Sequence, residues 1–143
     1  MLTRRGFAGF ASCAICAVTA GFSADEVSAQ GAAAPAATPG VTRKLLSRTD
    51  GPAAGYETLI MDVTIDAGNA VARHTHPGIE SSYLMEGSLE LPIQGQQTRT
   101  YKAGEAFQVP PNTPHAGGPA SSEKIHLLIN YIVEKGKPLA TPA

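Results

Sequence analysis

Within one seven-residue window, His74, His76 and Glu80 carry side chains that bind transition metals. On a strand, side chains alternate faces with a period of two, so His74 and His76 point the same way. Pro77 and Gly78 turn the chain. That turn lets Glu80, at the start of the next strand, swing back toward the two imidazoles. Two imidazoles and a carboxylate converging on one point suit a divalent transition metal. His115 is a fourth candidate ligand. The chain has four histidines, and three fall in this set. The remaining one, His126, has no partner at ligand spacing and reads as a surface residue.

The elements that must position these side chains are short strands between Gly, Pro and Asn turns. A first strand spans 41–48, with Leu45 and Leu46 expected to pack inward. Over 56–65 the alternation is clear: Leu59, Met61, Val63 and Ile65 share one face. Glu80 to Met85 continues past the site, with Ser82 and Leu84 inward and Ser81, Tyr83 and Met85 outward. Residues 88–93 and 97–101 flank a hairpin loop at Gln94-Gly95-Gln96. Residues 106–109 form another strand, and His115 opens one more. The last strand, 125–133, puts Ile125, Leu127, Ile129, Tyr131 and Val133 on one face. No stretch reads as a helix. The expected fold class is all-β, a sandwich or barrel.

The stretch from Gly68 to Gly87 resembles the first motif of the cupin superfamily. It has Gly68, five residues, His74, one, His76, three, Glu80, six, Gly87. The second motif follows as Gly104, five residues, Pro110, then His115. Asn112 stands where the family usually has Gly, and Asn tolerates the left-handed conformation that turn needs. Pro119 stands where the family often has Asn. Flanking strands extend the resemblance over roughly residues 42–135. It implies a double-stranded β-helix, or jelly roll, with the metal inside its mouth. His74, His76, Glu80 and His115 are then the metal ligands.

The 143-residue length bounds the answer to one domain. A net charge of −1 offers no basic field for nucleic acid. Residues 1–29 resemble a bacterial twin-arginine export signal: Arg4-Arg5, then an aromatic, then a small apolar run. An ordinary secretory signal and an uncleaved anchor are the rival readings. Cleavage would fall near Ala24 or Ala29. Past the signal, no apolar run is long enough to span a bilayer. Residues 30–41 read as a flexible linker, 42–135 as the cupin domain and 136–143 as a tail without pattern. Cys13 and Cys16 both lie in the signal, so a mature protein would hold no disulfide. The expected location is the periplasm. Export in the folded state would let the metal load inside the cell.

Three imidazoles and one carboxylate suit iron(II) or manganese(II) first, with nickel, cobalt and zinc also compatible. An octahedral ion held by four ligands keeps two positions for a small-molecule ligand or substrate. Such a site polarises a carbonyl or enolate oxygen, or engages oxygen. Gln108 and Asn130 are further candidates for the cavity wall. Arg73 should point away from the metal. Arg99 and Tyr101 share a strand face and read as solvated surface or a guard at the mouth. Glu86, Glu90 and Glu105 should face water. No second carboxylate can be assigned as a general acid. The expected activity, implied by resemblance to small quercetin-dioxygenase-like cupins, is a dioxygenase acting on a small aromatic or enolic compound. The alternatives are a manganese-dependent decarboxylase, lyase or isomerase, and a non-catalytic periplasmic binding module. A homodimer is common among cupins.

Overall fold

The computed structural model describes residues 38–119 and 121–143. The expected export segment, its two cysteines and most of the linker lie outside the described residues. Among the described residues every regular element is a strand: β1 (Val41–Asp50), β2 (Tyr56–Ile65), β3 (His74–Thr75), β4 (Gly78–Glu86), β5 (Ser88–Leu91), β6 (Arg99–Lys102), β7 (Ala106–Val109), β8 (Ile125–Glu134) and β9 (Thr141–Pro142). Among them, no helix is long and apolar enough to cross a membrane.

Five strands form one antiparallel sheet in the order β1-β2-β8-β4-β7. Two strand pairs, β3-β9 and β5-β6, complete the jelly-roll barrel. Alternation dictates the core. Leu59, Met61, Val63 and Ile65 of β2 are buried, as are Ile125, Leu127, Ile129, Tyr131 and Val133 of β8. The register places Val63 beside Leu127 and Met61 beside Ile129, and directly paired residues share a face. Each buried Val, Leu or Ile contributes about 1.5–3 kcal/mol. Leu84 of β4 and Phe107 of β7 extend the same inner face.

β1 departs from expectation. Leu45 and Leu46 are 46% and 48% exposed. β1 is an edge strand, next to β2 alone in the sheet of the described residues, and its register slips between Leu45 and Ser47. Such a bulge re-aims the side chains around it. Beyond the bulge β1 is tied down by charge instead: Arg48 Nε lies 3.2 Å from Oε2 of the fully buried Glu57.

Two prolines and glycines shorten other elements. Pro92 cannot donate to a ladder, and β5 ends at Leu91 rather than continuing to Ile93. His115 does not open a strand. Pro114 precedes it and Gly117-Gly118-Pro119 follow, so it stands as an isolated bridge to both His74 and Ile93. Gly78 is not itself the bend. It is the first residue of β4, opposite Val133, and a Cβ there would meet the Ile132 carbonyl oxygen at 2.0 Å. Glycine is needed for that close approach. The tail also joins the barrel: β9 pairs with β3, and Leu139 is 3% exposed.

Candidate metal centre

Strands β3 and β4, and the bridge at His115, bring the chosen side chains together. His74 and His115 exchange reciprocal backbone hydrogen bonds, N to O, of 2.9 and 3.0 Å. This pair joins the second motif to the first. Asn112 adds another tie, donating its N–H to the His76 carbonyl at 2.8 Å. Its φ of 53° is the left-handed turn expected there. Glu80 sits on β4 between Val109 of β7 and Tyr131 of β8.

The four candidate ligand atoms, one from each of His74, His76, Glu80 and His115, all lie within 4.8 Å of one another. His74 Nε2 is 3.1 Å from His76 Nε2. Glu80 Oε2 is 2.9 Å from His76 Nε2 and 3.3 Å from His115 Nε2. Ligands at about 2.1 Å from one ion stand roughly 3.0–3.4 Å apart, by the bond lengths usual for nitrogen and oxygen donors.

The outward nitrogens explain the orientation. His74 Nδ1 donates to the Ala72 carbonyl (2.7 Å), His76 Nδ1 to Leu139 (2.5 Å) and His115 Nδ1 to Thr113 (2.9 Å). A proton on each Nδ1 leaves each Nε2 with its lone pair aimed at the common point, the arrangement of metal-bound histidine. Ser82 Oγ donates to Glu80 Oε1 at 2.6 Å and fixes the carboxylate. His115 Nε2 is buried and, though 3.3 Å from Glu80 Oε2, makes no well-aligned hydrogen bond. A cation satisfies three converging lone pairs and a carboxylate at once, so the residues fit a divalent metal.

Electrostatics agree with this set. Burial lowers the His74 pKa to about 4, although its bond to Ala72 opposes the shift. Burial disfavours the Glu80 charge, yet the adjoining His115 and His76 imidazoles hold its carboxyl well below the usual range. His115 is raised: its own burial acts downward, and the adjoining Glu80 carboxylate outweighs it. Burial, with the Glu80 charge behind it, pushes the Tyr131 phenol up, so it stays protonated.

The cluster lies in a cavity with apolar walls from Val63, Ile65, Leu89, Phe107, Leu127 and Ile129. Ser82 and Leu84 are buried, whereas Tyr83 and Met85 are each 48% exposed, as alternation predicts. Gln108 and Asn130 do not line this cavity. They sit on the outer face of the sheet, where Gln108 bonds to Ser81 at 3.0 Å. Both fall on the opposite parity from the buried Phe107, Val109, Ile129 and Tyr131. His126 also faces out, 3.0 Å from Asp62. Arg73 turns away and bonds to Gln94. Arg99 stacks on Tyr101, 4.5 Å from the ring centroid, and Tyr101 packs on Phe107.

Three contributors were not singled out from sequence. The Leu139 carbonyl has no side-chain signature. Tyr131, whose ring centroid lies 4.8 Å from that of His76, is the polar member of an otherwise apolar strand face. Arg43 lines the cavity from β1, and it shares a face with Val63, its register partner.

Fold and site define a cupin-type barrel with a candidate metal centre. A family model described as Cupin domain matches residues 61–131. Among solved structures it resembles the DMSP lyase DddQ from Ruegeria pomeroyi DSS-3, with 23% identity, TM-score 0.54, and coverage of 64% of this chain and 46% of that one. It also resembles KdgF from Halomonas sp., with 22% identity, TM-score 0.53, and coverage of 66% and 80%. The polyketide cyclase RemF from Streptomyces resistomycificus matches at 20% identity, TM-score 0.55, and 68% of each chain. At these identities the likeness is one of fold. The chain spans less than half the length of the first of these proteins. Comparison with curated proteins by sequence finds no match.

Proposed function

We propose that this protein is an exported, metal-dependent cupin enzyme acting on a small enolic or aromatic molecule, most simply as a dioxygenase. One observation carries the reading. Three Nε2 lone pairs and one carboxylate converge inside an apolar cavity, each imidazole locked by a carbonyl behind it. Iron(II) or manganese(II) held by His74, His76, Glu80 and His115 would supply Lewis acidity and, for iron, electrons for reaction with dioxygen. The chain's own residues set the rest. Apolar walls exclude water and favour a small, flat, largely apolar substrate. Ser82 keeps Glu80 oriented, and Glu80 keeps its negative charge.

A second reading is a non-oxidative lyase, decarboxylase or isomerase using the same ion as a Lewis acid. The names of two solved structures of like fold, a lyase and a cyclase, favour keeping it. A periplasmic binding module is the reading outside enzymes. Oxygen uptake by the iron-loaded protein across an enolic panel separates them. Consumption of substrate with matching oxygen uptake supports the dioxygenase. Product without oxygen use moves the assignment to the second reading. Tight reversible binding without product moves it to the third.

Export through a twin-arginine-like signal to the periplasm belongs to the same proposal. It is supported by Arg4-Arg5 and the apolar run behind them. Fractionation of the native cells tests it. Light scattering tests a homodimer.

A further inference from the structure

The cavity holds two polar groups besides the metal cluster, Arg43 and Tyr131. They enter from different strands of the large sheet. Arg43 of β1 pairs in register with Val63, which in turn pairs with Leu127 of β8. Partners across a ladder share a face, so Arg43 projects toward the same interior as Val63. Tyr131 lies further along β8, opposite Glu80.

Neither group is satisfied by the described residues. Arg43 is half-buried, yet makes no ion pair or side-chain hydrogen bond among them. The other guanidiniums among the described residues each have a partner: Arg48 meets Glu57, Arg73 meets Gln94 and Arg99 meets Glu105. Tyr131 is 7% exposed, and its hydroxyl has no hydrogen-bond partner among the described residues. The ring lines the cavity, and a tyrosine hydroxyl in such a place is available to an acceptor. Taking a guanidinium partly out of water beside a second unmet donor is unfavourable without an acceptor. Glu80, the one carboxylate in the cavity wall, is already engaged by Ser82, His76 and His115.

We propose that Arg43 and Tyr131 form an anion subsite that takes the carboxylate of a small oxo acid, whose keto or enol oxygen lies toward the His74–His76–Glu80–His115 cluster. The guanidinium offers two parallel N–H groups to the two carboxylate oxygens. The phenol donates one further hydrogen bond. Apolar side chains, among them Val63, Leu127 and Ile129, line the same cavity and suit the carbon skeleton between the two poles. This narrows the substrate class from enolic compounds in general to enolisable carboxylic acids, and it rests on the metal-centre reading for its second pole.

The test is calorimetric binding of acetoacetate and its uncharged isostere acetoacetamide to the manganese-loaded protein. Wild type is compared with Arg43→Gln, Arg43→Lys and Tyr131→Phe, each checked for folding by circular dichroism. Arg43→Gln is expected to weaken acetoacetate at least tenfold and to leave acetoacetamide within twofold. Arg43→Lys, which keeps the charge, recovers part of the loss. Tyr131→Phe, which removes one hydroxyl from a retained ring, weakens acetoacetate selectively by a smaller factor. Equal loss for both ligands, or no loss for either, overturns the subsite. Metal content is measured on every sample, and the series is repeated after chelation. If wild type takes up no manganese, the metal-centre reading fails by itself. The Arg43-dependent preference for acetoacetate over acetoacetamide is still read on that metal-free protein, and its absence there overturns the subsite.

Discussion

Each candidate ligand is held by a group behind it, and single substitutions should separate the two roles. Glu80→Gln keeps the shape but removes the charge that offsets a divalent ion. Metal affinity is expected to fall at least a hundredfold, whereas Ser82→Ala, which only loosens the carboxylate, should lower it about 10–100-fold, the range usual for groups supporting a ligand. Titration with cobalt(II) measures both; no loss of affinity in Ser82→Ala would show that the Ser82 bond of 2.6 Å does not orient Glu80. Acidity provides a second handle. His74, lowered to about 4 by burial, is already neutral near pH 7, and Glu80 is already ionised. His115 is raised, its burial acting downward and Glu80 outweighing it, so it takes up a proton before His74 as pH falls. Metal must displace that proton, and affinity should weaken on acidification, approaching about tenfold per pH unit. The same affinity at about pH 8 and about pH 6 would contradict this. That His74, His76, Glu80 and His115 cluster was legible because the spacing of the two motifs brings them to one point. Arg43 and the Leu139 carbonyl were not: one lies on an edge strand far from the motifs, and the other is a backbone atom.

At the level of elements, the barrel depends on two features that sequence pattern treats unequally. Alternation made β2, β4 and β8 readable, since a buried face every second residue leaves a clear mark. The tail left none, having two prolines and a strand of only two residues. Its contribution is nonetheless physical: Leu139 fills the core and its carbonyl orients His76. Leu139→Ala is expected to destabilise the fold by about 2–5 kcal/mol. A chain ending at Lys137 should lose both that stability and metal affinity. Denaturant unfolding and cobalt titration check the two effects, and a truncated chain that binds cobalt as wild type does would remove the tail from the site. Gly78→Ala is a sharper probe. Its Cβ would collide with backbone of β8, not with a side chain able to move. β4 must shift with it, carrying Glu80 two residues away, so the loss should appear in metal affinity as well as stability. Leu45 and Leu46 show the limit of apolar content as a guide. Hydrophobic residues on an edge strand pack only where another element covers them.

For the molecule as a whole, the jelly roll supplies a core on one large sheet and a small, apolar cavity that holds the His74–His76–Glu80–His115 cluster. Binding to the folded chain alone links occupancy to stability. Manganese(II) at a hundred times its dissociation constant should stabilise the protein by about 2.7 kcal/mol, and chelation should reverse the gain. A thermal melt unchanged by the metal would indicate that it does not engage the folded site. The central claim is that His74, His76, Glu80 and His115 hold a divalent metal. The most direct measurement is the metal content of the protein purified from its native cells, beside a His115→Ala variant purified in the same way. Near-stoichiometric iron or manganese in the first and little in the second is the predicted result. No bound metal in wild type, or the same metal equally present in both, would contradict it.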